Sequence, residues 1–307
     1  MAEISAWLGA LPGAIAQGMI WGIMAIGVYI TYKILDFADL TVDGSICTGM
    51  AVCAMLIIHG WNVWLAMFVA MLVGMLTGLV TGIFHTFMGI PAILSGILTQ
   101  LMLWSVNLKI MGQANQALPA RKYSLIITQL NSKGITIAVL AGFCIVIIGV
   151  LYWFFGTEYG SAVRATGSNA KMSRAQGINT DRNKIIGLMI SNGIVALAGA
   201  LLAQYQGSAD INNGRGAIVI GLAAVIIGEA VVSRLSQNFL IRLLGVILGG
   251  VIYYIVYQSV IFLGLDTDYL KMLSALVVAV FLAVPYWKKR YFSKTRQLKN
   301  QEGSGNA

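Results

Sequence analysis

Charge is what this 307-residue chain is short of: Asp, Glu, Lys and Arg together make up 10% of it, where a soluble domain carries roughly a quarter. With 58% apolar residues and a mean hydropathy of +0.82, so few charges cannot cover the surface of a soluble fold this long. A soluble protein is excluded. Proline is scarce at 4 while glycine reaches 35, which predicts closely packed helices with few proline kinks. Alternating apolar and polar positions are missing from runs such as 135–155, and that excludes an outer-membrane barrel. Cys47, Cys53 and Cys144 all sit in apolar stretches. An odd count without loop positions gives no disulfide framework, so they read as small buried hydrophobes. The chain has no Gly-x-x-x-x-Gly-Lys-[Ser/Thr] loop, no His-Glu-x-x-His and no Cys-x-x-Cys. No ATP hydrolysis by the phosphate-loop route is therefore expected of it, and no metal centre. Its spans also hold too few ionisable groups for an intramembrane enzyme. The N-terminus lacks a basic stretch and a cleavage site, so the first helix is expected to stay in the mature protein.

What is present is a series of long apolar runs. They place helices near 12–34, 43–58, 62–86, 90–110, 134–155, 185–206, 215–232, 239–263 and 269–286. The expectation is an all-α polytopic membrane protein of about nine spans (eight to ten), at roughly 20 residues per crossing. The second and seventh are short enough to be tilted, broken or re-entrant. Residues 1–286 form one transmembrane domain in this reading, and 287–307 a flexible basic tail. The net charge of +9 does not point to nucleic acid, because the basic residues gather in short loops and the tail. Arg164, Lys171, Arg174, Arg182 and Lys184 share one loop, and Lys288, Lys289, Arg290, Lys294, Arg296 and Lys299 lie in the tail. By the positive-inside rule both segments face the cytoplasm. Nine spans then put the N-terminus outside.

Polar groups inside such a chain are candidates for a pathway, since they are costly in lipid. Asp36, Asp39 and Asp43 cluster in the stretch from Leu35 to Ser45, which leads into the second helix. They read either as a cytoplasmic turn, with Thr41 or Asp43 capping that helix, or as a broken-helix segment lining a pathway. Asn107, Asn192 and Gln204 are amides within spans, and Glu229 either pairs with Arg234 or faces the pathway. Gly74, Gly78 and Gly82 share one helix face, as do several of Gly245, Gly249 and Gly250. Such faces serve internal packing or a dimer seam.

The loop from Gly156 to Lys184 is far longer than joining two spans requires. It reads as two short helical pieces, broken at Gly167 and ended at Gly177. A defined helix at the membrane face suits docking of a cytoplasmic partner; the bland alternative is a basic helix resting on anionic lipid.

At these residues the sequence resembles the permease family of bacterial ABC importers that includes the ribose and branched-chain amino-acid permeases. Arg164-Ala-Thr-Gly167-Ser-Asn169, followed by Ala175-Gln-Gly177-Ile178-Asn, is similar to that family's ATPase-contacting segment. Asp36 to Ser45, Asn107 to Gly112 and Gly221 to Glu229 look like the branch associated with tryptophan/tyrosine-type binding proteins, although Lys109 stands where arginine is expected. The resemblance covers roughly residues 18–285. It implies a non-enzymatic permease subunit in a bacterial plasma membrane, with its C-terminus in the cytoplasm and no cofactor of its own. ATP would be used by a cytoplasmic ABC ATPase, solute delivered by an extracellular binding protein, and a second copy would complete a homodimer. It further implies coupling through Gly160, Arg164, Ala165, Thr166, Gly167, Asn169, Arg174, Ala175, Gly177 and Ile178. Asp43, Ser45, Asn107, Asn192, Gln204 and Glu229 are the pathway candidates. An aromatic or other amino acid is the expected solute. A sugar or nucleoside permease, or a secondary transporter or channel working without an ATPase, is the alternative.

Overall fold

The computed structural model of the chain describes residues 2–232, 238–262 and scattered positions between 272 and 283. Its helices are α1 (Ala2–Tyr29, continued as a π-helical turn at Ile30–Ile34), α2 (Val42–Ile58), α3 (Val63–Thr86), α4 (Ala92–Met111), α5 (Lys133–Gly156), α6 (Glu158–Ser168), α7 (Ala170–Ala175), α8 (Thr180–Gln206), α9 (Ala217–Val232) and α10 (Phe239–Phe262). Six of them, α1, α3, α4, α5, α8 and α10, are long and apolar enough to cross a bilayer, and α2 and α9 are shorter apolar helices. The chain is a multi-pass helical membrane protein. Most of the ninth expected span, together with Arg234 and the tail 287–307, lies outside the described residues.

Two boundaries fall away from the apolar runs for local reasons. The first helix starts ten residues earlier than the apolar run, with Pro12 inside it, and the Trp7 indole reaches Ser259 of α10 at 3.3 Å. α8 gains a polar first turn because the Asn179 side chain accepts the Arg182 N–H at 3.0 Å, an N-cap that no hydropathy pattern registers.

α8 forms the centre, packed between α1, α2 and α3. Gly74, Gly78 and Gly82 of α3 all face α8 of the same chain. A Cβ on Gly78 would lie 2.6 Å from the Leu188 carbonyl carbon and 2.9 Å from the Met189 nitrogen. The glycine face is thus spent on internal packing. Gly245 and Gly249 meet α9, and Gly250 meets α1, in the same way. Helices that approach this closely gain dispersion contacts, the main attraction left where lipid removes any hydrophobic drive. α4 and α5 sit at the periphery and leave Leu101, Trp104, Ile145 and Trp153 exposed, as lipid contact requires.

A two-stranded antiparallel ribbon, absent from the sequence reading, pairs β1 (Asn115–Ala117) with β2 (Ser208–Asp210). It joins the segment after α4 to the segment after α8, at the end of α8 opposite α6 and α7. The stretch 123–130 buries Ile127 and Thr128 without forming a helix or strand. The three cysteines are unpaired and far from solvent, at 3%, 0% and 5% exposure for Cys47, Cys53 and Cys144.

Candidate functional site

The segment between α1 and α2 is not a solvated turn. α1 ends in a widened turn in which the Leu35 N–H reaches the Ile30 carbonyl at 3.0 Å, and Asp36 then takes a left-handed φ of 52°. This reversal turns the chain back into the protein, burying Asp39, Thr41 and Ser45. π-turns of this kind often mark functional positions. The buried groups satisfy one another. Asp39 accepts the Thr41 N–H at 2.9 Å and the Asn192 amide of α8 at 2.7 Å. Ser45 donates to Asn192 at 2.6 Å and meets Thr77 of α3 at 2.7 Å, while Thr41 meets Thr81, which donates to Thr99 of α4. Four helices therefore share one hydrogen-bonded lattice around a single buried carboxylate. Of its members, the sequence reading singled out Ser45 and Asn192 as pathway candidates. Thr77, Thr81 and Thr99 gave no signal there because one hydroxyl per helix turn is ordinary in a span.

Thr41 is the N-cap residue of α2 but makes no side-chain cap bond. The expected Asp43 cap is also redirected. Its carboxylate accepts the Gly216 N–H at 3.0 Å and the Ile218 N–H at 2.8 Å, so it caps α9 across the fold. Cys47 adds a second tie, accepting the Gly214 N–H at 3.1 Å and donating to the Ile211 carbonyl at 3.3 Å, a role beyond a small hydrophobe. Replacing Asp43 with alanine should cost about 1–2 kcal/mol, the worth of a charged cap. Asp43→Asn, which keeps one acceptor, should lose less. Thermal unfolding of the two variants in one detergent checks the order.

The remaining candidates are dispersed. Asn107 reaches the Gly44 carbonyl at 3.5 Å, and its Oδ1 is buried with no partner among the described residues. Gln204 accepts the Ile126 N–H at 3.2 Å and sits against Cys53. Glu229 pairs with Lys33 of α1 at 3.1 Å; the pairing with Arg234 expected from the sequence falls on a residue outside the described ones. With Lys33 45% and Glu229 29% exposed, that pair is worth about 1 kcal/mol or less.

α6 and α7 lie at the α8 N-terminal end. The break between them falls at Asn169, not at Gly167, because Asn169 leaves helical geometry to cap α7 through the Met172 N–H at 3.0 Å. Gly167 lies inside α6 where it crosses the end of α1; a Cβ there would meet the Ile34 carbonyl and come within 2.9 Å of the Leu35 Cα. Gly177 ends α7 with φ +82°, as expected. Gly160 and Thr166 are buried on the inner side, and Thr166 accepts from Asn183 of α8. Arg164 is turned back onto the fold: it donates to the Phe155 carbonyl at 2.9 Å and lies over the Phe155 and Phe239 rings. Arg174 pairs with Asp181 at 2.9 Å. The outer side carries Ala175, half-buried Ile178 and the exposed Tyr159 and Met172 among Lys171 and Arg182.

One further group escaped the sequence reading. Arg215, Trp21 and the α10 tyrosines Tyr253, Tyr254 and Tyr257 line a cavity of about 350 Å³. The Tyr-Tyr-x-x-Tyr spacing, which puts 253, 254 and 257 on one helix face, was the available signal.

Across residues 11–284 the chain matches the family described as "Branched-chain amino acid transport system / permease component". It is 38% identical over 90% of its length to the tyrosine transport system permease protein of Clostridioides difficile (strain R20291), of which 91% is covered. An uncharacterized protein of Rickettsia prowazekii (strain Madrid E) is 32% identical over 88% of this chain and 95% of its own. The ribose import permease protein of Escherichia coli (strain K12) is 26% identical over 46% of this chain and 42% of its own. No solved structure matches.

Proposed function

Because the chain belongs to the permease-component family of branched-chain amino acid transport systems, we propose that it is the membrane subunit of an ATP-driven importer carrying an amino acid, an aromatic one foremost. The family makes it a non-catalytic transport subunit with an ATP-using partner. The observation that carries the solute is full-length similarity to a tyrosine permease, whereas the sugar-permease match covers under half of either chain. An extracellular binding protein would deliver the solute, and a second copy of the chain would complete the pathway. The basic residues of the 156–184 loop support placing the α6 end and the tail in the cytoplasm of a bacterial plasma membrane, with the N-terminus outside. In this reading Asp43, Ser45, Asn107, Asn192, Gln204 and Glu229 are pathway or gating groups, directly or through the lattice around Asp39.

The residues Gly160–Ile178 form the contact with the ATPase. Their inner side, with Gly160, Arg164, Thr166 and Gly167, holds the pair to the bundle, and their outer side, with Ala165, Arg174, Ala175 and Ile178, would enter the partner's groove. Expressed with its ATPase and binding protein, the chain should take up labelled tyrosine in an ATP-dependent manner. Uptake of a pentose or nucleoside instead would overturn the solute, and uptake without the ATPase would overturn the importer. Met172→Glu combined with Ala175→Glu places two carboxylates on the exposed face and leaves the anchored side alone. It should strip the ATPase from the purified permease while membrane expression holds. Retention of the ATPase would reassign this surface to lipid.

A further inference from the structure

We propose that the cavity beside the start of α9 is a transit site for an aromatic α-amino acid, with Arg215 taking the carboxylate and Trp21, Tyr254 and Tyr257 holding the ring. This rests on the amino-acid reading above and adds the place and the groups that recognise the solute. The cavity, about 350 Å³, is near the lower end of the roughly 300–1,000 Å³ of small-molecule sites. Its walls carry two chemistries. One is aromatic: Trp21 stacks on Tyr254 at 5.9 Å, and Tyr254 meets Tyr257 at 5.7 Å. The other is ionic. Arg215 is exposed on the turn before α9, and no carboxylate lies within 4 Å of its guanidinium among the described residues.

A guanidinium fork with no carboxylate partner among the described residues matches a planar carboxylate in two parallel hydrogen bonds. Trp21 supplies a second open valence. It is 6% exposed, and its indole N–H has no acceptor among the described residues, a costly state for a buried donor. Gln206 and Asn213 bond to each other at 2.8 Å, which leaves Asn213 Oδ1 as an acceptor for an ammonium group. Ring, carboxylate and amine are the three groups of one aromatic amino acid. The site also lies at the Gln206 end of α8, away from α6 and α7, which in the proposed orientation is the side where solute arrives.

The test uses proteoliposomes holding the permease, its ATPase and its binding protein, with labelled tyrosine and labelled leucine as probes. Arg215→Gln should lower tyrosine uptake about tenfold to a hundredfold, the loss of a charge-assisted hydrogen bond, and Arg215→Lys should recover part of it. Tyr257→Leu should lower the tyrosine-to-leucine uptake ratio about threefold to tenfold, the worth of an aromatic contact. Co-purification of the ATPase reports folding; if Arg215→Gln fails it, the Tyr257→Leu ratio decides. Normal tyrosine uptake in a folded Arg215→Gln, or an unchanged ratio in Tyr257→Leu, would overturn the transit site alone. A wild-type complex that moves a pentose but neither amino acid would overturn both this inference and the solute reading beneath it.

Discussion

Gly78→Leu is expected to leave almost no folded protein in the membrane. The new side chain would have to occupy the space of the Leu188 and Met189 backbone, already 2.6 and 2.9 Å from where its Cβ would lie. Backbone on a central helix cannot swing aside as a side-chain tip can, so α3 and α8 must separate. Overpacking usually costs about 1–3 kcal/mol, but here separation also pulls Thr77 away from Ser45 and Thr81 away from Thr41, opening the lattice around Asp39. The combined loss should exceed about 4 kcal/mol, the range in which single substitutions become disabling. Gly142→Leu on α5 is the matched control: nothing lies within 4 Å of its Cβ position, and the residue is exposed. Detergent extraction and size-exclusion profiles compare the pair. Equal yields of monodisperse protein would mean that the α3–α8 contact is looser than described.

Gly167→Leu should fail differently, with the bundle intact and uptake lost. Its Cβ would strike the Ile34 carbonyl and approach the Leu35 Cα at 2.9 Å, lifting α6 from the end of α1. α6 lies outside the packed spans, so their helices need not move. In the proposed role of α6 as the docking element, its displacement at a cost of about 1–3 kcal/mol should reduce uptake on the order of tenfold or more. ATPase co-purification and tyrosine uptake, measured on the same preparation, check it. Full activity in both would make the loop a linker.

These two glycines also show how far the sequence could be read. The α3 face announced itself by its four-residue spacing, and the structure decides between internal packing and a seam only because it shows α8 opposite. At Gly167 the residue was noticed for the wrong reason. Glycine suggested a helix break, whereas the break belongs to Asn169, whose amide captures the Met172 N–H. Hydropathy located eight helices because lipid selects apolar residues irrespective of neighbours. It could not locate Asp43's partners, Gly216 and Ile218, since no local pattern links residues 173 and 175 positions apart. The β1–β2 ribbon was hidden for the same reason: three residues on each side, two polar and one alanine, are too few to carry a periodicity. Arg215 was not singled out, because the absence of a carboxylate within 4 Å of it among the described residues is a property of three-dimensional space.

The burial of Cys47, Cys53 and Cys144 gives the native chain a quiet thiol background. Water-soluble maleimides need a thiolate they can reach, and none of the three sulfurs offers one. A single cysteine introduced at exposed Met172 or Tyr159 would then carry a spin label or fluorophore alone, without first deleting the residue that holds the 211–214 turn in place.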